Sequence, residues 1–125
     1  MSLKKNFIAI SLVIVVLFMS VSTTAATYID TTLTGTNAET GFKKLGEGTR
    51  VLSGTGIYGK GTGYAMRIVK WLPDSAVTKI SLSKGNSASS EFKAQATNSL
   101  GENQSYYIRW KGNSSKAKAS LKLAD

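Results

Sequence analysis

From Thr27 onward, apolar and polar residues alternate with a period of two, and clusters of Gly, Asn and Ser interrupt the alternation. That period belongs to a β-strand, whose successive side chains point to opposite faces. The segments carrying it are Thr27–Leu33, Thr49–Ser53, Tyr64–Leu72, Val77–Ser83, Glu91–Thr97, Ser105–Lys111 and Lys116–Leu123. Between them fall Gly54–Gly63, Pro73-Asp74, Gly85-Asn86, Gly101-Glu102-Asn103 and Gly112-Asn113, all residues that favour turns. No stretch holds a long helical period, although Glu39–Lys44 has room for one short helical turn. Short strands at this spacing predict an all-β chain, a small antiparallel β-sandwich or barrel-like fold of about seven strands.

The last two segments show the clearest alternation. Tyr106, Ile108 and Trp110 point one way and Tyr107, Arg109 and Lys111 the other. In the final segment Ala117, Ala119, Leu121 and Leu123 oppose Lys116, Lys118, Ser120 and Lys122. A hairpin closed by Gly112-Asn113-Ser114-Ser115 is expected between them. Its register sets Trp110 against Ala117 and Ile108 against Ala119, large against small on the buried side. The same register sets Lys111 against Lys116 and Arg109 against Lys118. Like charges placed opposite one another destabilise by a few tenths to about 1 kcal/mol per pair. With Lys93 from the preceding strand, one face is expected to carry Lys93, Arg109, Lys111, Lys116, Lys118 and Lys122 around Tyr107, with Glu91 beside them. Folding gains nothing from concentrated repulsion, so this face is the candidate binding surface. Lysines on an edge strand also block sheet-to-sheet aggregation, which is the structural explanation for the same pattern.

Charge is uneven along the chain as a whole. The sequence holds 16 Lys plus Arg against 7 Asp plus Glu, a formal net charge of +9. Between residues 27 and 59, Lys43, Lys44 and Arg50 balance Asp30, Glu39 and Glu47. The surplus therefore belongs to the second half, consistent with a one-sided field that attracts polyanions.

The first 26 residues follow a different rule. Lys4 and Lys5 precede an apolar run, Phe7–Val21, and then the small residues Ser22-Thr23-Thr24-Ala25-Ala26. This is the order of a secretory signal peptide: basic region, short apolar region, small-residue cleavage site. Cleavage after Ala25 uses Thr23 and Ala25 as the small residues, and cleavage after Ala26 uses Thr24 and Ala26. Both remain open, as does retention as an anchor, although Phe7–Val21 is shorter than the roughly 20 apolar residues of a spanning helix. Residues 1–26 are thus read as the signal and 27–125 as a single small β domain. Export with no Cys is unusual for a small domain. It suits a cell without dedicated extracytoplasmic oxidation, as expected of a Gram-positive bacterium. The expected location is secreted or extracellular, with cell-wall association, and membrane contact only through the signal.

Most enzyme classes are disfavoured. The chain has no His and no Cys, which removes Ser–His–acid triads, thiolate nucleophiles and imidazole metal sites. The seven carboxylates show no spacing that suggests a glycosidase pair or a calcium loop. Gly54-Thr55-Gly56-Ile57-Tyr58-Gly59 matches a dinucleotide-binding string, but no helix follows to receive a pyrophosphate. The segment reads instead as a mobile loop, with Gly54, Tyr58, Lys60 and Gly63 as candidate ligand-presenting positions beside Tyr64. Trp110 is expected in the core. Trp71 is either core or a glycan-stacking platform, with core favoured because large aromatics are usually buried.

No catalytic, metal or cofactor site is therefore expected. The function expected is a small exported non-enzymatic protein binding an anionic envelope polymer through its basic face. Teichoic acid, anionic lipid headgroups and extracellular DNA are the candidate partners. The alternative is a secreted antagonist, bacteriocin-like or toxin-like, acting on neighbouring cells. Nothing in the sequence fixes an oligomeric state.

Overall fold

The computed structural model describes residues Ala25–Asp125; the expected signal lies outside them except for its last two residues. Eight strands follow in order: β1 (Thr27–Thr34), β2 (Ala38–Glu39), β3 (Gly48–Tyr58), β4 (Lys60–Arg67), β5 (Ser75–Ser83), β6 (Ser87–Ala94), β7 (Tyr106–Gly112) and β8 (Lys118–Ala124). They form two four-stranded antiparallel sheets, β1-β8-β3-β6 and β2-β7-β4-β5. The chain is all-β and the sheets pack as a sandwich. Among the described residues there is no helix, so none is long and apolar enough to cross a membrane. The short helical turn expected at Glu39–Lys44 is absent. Ala38 and Glu39 pair with Trp110 and Arg109 instead, and Thr40 and Lys43 continue bonding to the β7 backbone.

The core lies between the sheets and is made by the residues that the alternation turns inward. Leu52, Tyr106, Ile108, Trp110, Leu121 and Leu123 are fully enclosed, with Ile80, Leu82 and Phe92 beside them. Burying an aliphatic or aromatic side chain of this size stabilises the fold by roughly 1.5–3 kcal/mol. Trp110 also satisfies its one polar atom, since its Nε1 donates to the Ala117 carbonyl at 3.2 Å. Among the described residues no buried side-chain nitrogen or oxygen lacks a partner.

Two expectations about connectivity are overturned. First, β7 and β8 are not a hairpin. β7 pairs with β2 and β4 in one sheet, and β8 pairs with β1 and β3 in the other. Residues 113–117 carry the chain across the sandwich. A hairpin would have aimed both apolar sides in one direction and opposed Lys111 with Lys116. The crossing turns the two apolar sides toward each other and separates the cations. Trp110 does meet Ala117, but between layers rather than along a ladder.

Second, Gly54–Gly63 is not a mobile loop. Gly54 and Tyr58 are paired in β3, and Lys60 and Gly63 in β4. The strands change sheets through the single residue Gly59, whose φ of +62° suits only glycine at low cost. The repeated Gly-x-Gly spacing has a packing cause. A Cβ on Gly61 would sit 2.7 Å from carbons of the Trp110 ring, and one on Gly63 would sit 2.8 Å from a Leu121 methyl. Glycine at alternate positions lets the layers close at this corner.

Candidate functional site

The split of β7 from β8 divides the expected basic face. Lys93, Lys118 and Lys122 lie on the outer side of the first sheet, while Arg109 and Lys111 lie on the outer side of the second. Lys116 is in the connection between them, outside any strand. Tyr107 keeps its outward parity yet is only 3% exposed. It is covered by Phe42, whose ring centroid is 5.5 Å away, and by the β4–β5 loop, where its hydroxyl donates to Asp74 Oδ2 at 2.6 Å. Burial, and then the Asp74 carboxylate, push its pKa well above the ordinary phenol value, so Tyr107 stays protonated. It is a structural residue rather than an exposed ring. The seven residues expected on one face are thus not brought together.

Register places a different set on the second sheet's outer side. Arg109, Tyr64 and Lys79 form one cross-strand row, and Lys111, Thr62 and Ser81 form the next, with Lys60 and Ser83 beyond. Glu39 ends the first row and is occupied: Arg109 Nε and Nη2 donate to its Oε2 at 3.1 and 3.0 Å. Hydrogen bonding to Glu39 raises the guanidinium pKa further, so Arg109 is permanently charged. By contrast, Lys60, Lys79 and Lys111 make no ion pair among the described residues. The Lys111 ammonium instead lies 5.9 Å from the centre of the Tyr64 ring.

Lys60 and Lys111 flank an open depression of about 560 Å³, which Thr62, Ser81, Ser83, Asn86 and Asn113 also line. The side-chain oxygens of both asparagines are already used as acceptors. Asn113 Oδ1 accepts from the Lys60 amide, and Asn86 Oδ1 accepts from the Ser83 amide and hydroxyl. Their NH2 groups are left without a partner among the described residues. The rim therefore offers two ammoniums and two amide donors beside hydroxyls, a donor set suited to phosphate or carboxylate oxygens.

Of the residues that the glycines mark as a loop, Lys60 enters this rim while Tyr58 does not. Tyr58 pairs with Lys118 in the other sheet. Sequence parity could have found Thr62 and Tyr64, which share a side with Lys60. Asn86 and Asn113 come from separate turns, and only the tertiary fold adds them.

At the opposite end of the second sheet a few large apolar side chains are exposed among polar ones. β4 stops at Arg67 rather than running to Leu72. Trp71, read as core or a glycan-stacking platform with core favoured, is 88% exposed and so not core, with a φ of +66° that a bulky residue rarely adopts. The physical reason is the turn over residues 69–72, which places Trp71 at the position where a type II turn needs a positive φ. This turn carries Trp71 off the strand face, and the Leu72 amide bonds back to the Val69 carbonyl. Leu72 and Leu100, both exposed, line a smaller depression of about 260 Å³ beside it.

Among the described residues no group of three or more acidic side chains is placed to hold a metal. No family model matches the chain, and no curated protein matches it. Among solved structures, a chain described as "CBM4 structure and function" is similar over 78% of this chain and 80% of that one, at 18% identity and a TM-score of 0.37. At that similarity nothing about a ligand carries over.

Proposed function

We propose that this is an exported, non-enzymatic binding module that docks an anionic envelope polymer on the outer side of its second sheet. The observation that carries the reading is the depression between Lys60 and Lys111: two unpaired cations over a floor of hydroxyl and amide groups. A polymer with repeating phosphates, such as teichoic acid, supplies acceptors for the ammonium and amide donors that this rim leaves free. The attraction is electrostatic and falls steeply with salt.

The test is retention of the 27–125 domain on isolated cell walls, with and without teichoic acid, across a salt series. Retention is expected to need the polymer and to drop about tenfold in Lys60→Ala/Lys111→Ala, a change of about 1.4 kcal/mol. Lys93→Ala/Lys122→Ala, on the other sheet, is expected to lose much less. Equal loss in both double variants, or no retention at low salt, would overturn this reading.

A second reading, a secreted antagonist acting on neighbouring cells, is favoured by one specific feature. Trp71, Leu72 and Leu100 are exposed together at one loop end, an arrangement suited to contact with an apolar or interfacial target. Growth inhibition that disappears in Trp71→Ala would support it, and no inhibition by the unaltered protein would remove it.

A further inference from the structure

Residues Ala26 and Asp125 are held together where β1 begins and β8 ends. The Asp125 amide donates to the Ala26 carbonyl at 2.9 Å, and the Ala26 nitrogen donates to Asp125 Oδ2 at 3.3 Å. The other carboxylate oxygen is held from two sides. Arg50 Nη1 lies 3.1 Å from Oδ1, and the Tyr28 hydroxyl donates to it at 2.9 Å. Arg50 also sits 5.2 Å from the centre of the Tyr28 ring and is anchored by the Leu45 carbonyl. Asp125 is therefore fixed with one oxygen on a guanidinium and the other directed at the Ala26 nitrogen.

That arrangement gives the two cleavage positions that the sequence leaves open different consequences for the folded domain. We propose that the signal is removed between Ala25 and Ala26, and that the new α-ammonium of Ala26 closes an ion pair with Asp125. The inference rests on the export reading and not on the polymer site. In the cleavage step, water adds across the Ala25–Ala26 peptide bond. The C–N bond breaks, the Ala25 carbonyl carbon takes the oxygen as a carboxylate, and the Ala26 nitrogen leaves as an amine that takes a proton at neutral pH. A neutral amide donor thereby becomes a cation at the same carboxylate oxygen, which strengthens the contact. Cleavage one residue later moves the ammonium to Thr27, away from Oδ2, and removes the Ala26 carbonyl that the Asp125 amide bonds to. The peptidase reads an unfolded chain, so the clamp does not steer the cut. It is what the folded domain gains from this cut and loses with the other.

The experiment is expression of the full chain in a Gram-positive host, followed by the intact mass of the exported protein. A mass beginning at Ala26 is expected, and one beginning at Thr27 would overturn the proposal. A chain that keeps its first residues would overturn both the proposal and the export reading, which separates the two failures. In parallel, thermal unfolding of domains starting at Ala26 and at Thr27 is compared. The Ala26 form is expected to melt about 2–5 °C higher, the shift that a partly exposed ion pair gives in a domain of this size. Asp125→Asn keeps a hydrogen-bond acceptor but removes the charge, and is expected to narrow that gap, as is high salt. A gap unchanged by Asp125→Asn would overturn the ion pair.

Discussion

The outer sides of the two sheets carry similar numbers of cations but use them differently. On the first sheet Lys122 has Asp30 directly across the β1–β8 ladder, and Lys93 shares its strand face with Glu91. The middle of that side is a row of hydroxyls, Thr32, Ser120, Thr55 and Ser87, with Thr55 bonded to Ser87 at 2.8 Å. Lys122 and Lys93 thus each have a carboxylate on a neighbouring position, although neither they nor Lys118 makes an ion pair among the described residues. On the second sheet the one carboxylate in the rows, Glu39, is taken by Arg109, which leaves Lys60, Lys79 and Lys111 unpaired. The contrast shows that counting charges per strand does not locate a binding face. Position relative to the opposite charge matters, because a carboxylate on a neighbouring position offsets part of a lysine's field, while a lysine with none nearby acts over about a Debye length.

The contrast depends on the layers being held apart by their shared core, and the largest expected effect comes from removing that. Trp110→Ala is expected to cost about 3–5 kcal/mol, lowering the melting temperature by more than 10 °C and abolishing retention through unfolding, as circular dichroism would show. A smaller change probes the covered end of the second sheet. Tyr107→Phe removes the bond to Asp74 and is expected to cost about 1 kcal/mol in denaturant unfolding. Because Tyr107 has a higher pKa folded than unfolded, its contribution is present below the ordinary value of 10.0 and fades as pH rises past it. The alkaline loss of stability should therefore be shallower in Tyr107→Phe. Retention at neutral pH should barely move, since the ring is covered by Phe42 and the β4–β5 loop. The smallest effect sharpens the comparison itself. Asp30→Asn uncovers Lys122 and, in a Lys60→Ala/Lys111→Ala background, is expected to raise residual wall retention about two- to threefold. No rise would mean that compensation is not what silences the first sheet.

Much of this architecture was legible in the alternation alone. It marked Tyr106, Ile108 and Trp110 and the Ala119–Leu123 set as inward, and put strands close to where β1, β5, β7 and β8 lie. Parity fixes which side of a strand is buried, but it says nothing about which neighbour the strand pairs with. Gly112-Asn113-Ser114-Ser115 reads equally well as a hairpin loop or as an arch between layers. As a hairpin it would fuse into one surface two sides that the arch sets on opposite layers. The glycines misled for a related reason. Their freedom as isolated residues suggested a loop, whereas their spacing of two carried the strand period and showed where side chains had no room. Trp71 was misplaced because the tight turn before Pro73, rather than the strand period, governs its direction. The candidate site was the least legible part, since its donors come from β4, β7 and two turns that are distant in sequence.

The single-residue corner at Gly59 has a mechanical consequence. It ties β3 of one layer to β4 of the other directly beside Lys60, while the Ala26–Asp125 clamp lies near the far end of the β3–β8 ladder. Inter-strand bonds run perpendicular to the strands. A pull between an anchored ligand at the corner and the clamped end therefore runs along the strands and shears many bonds together instead of unzipping them one by one. A load applied between the corner and the clamp is resisted by the whole β3–β8 ladder at once.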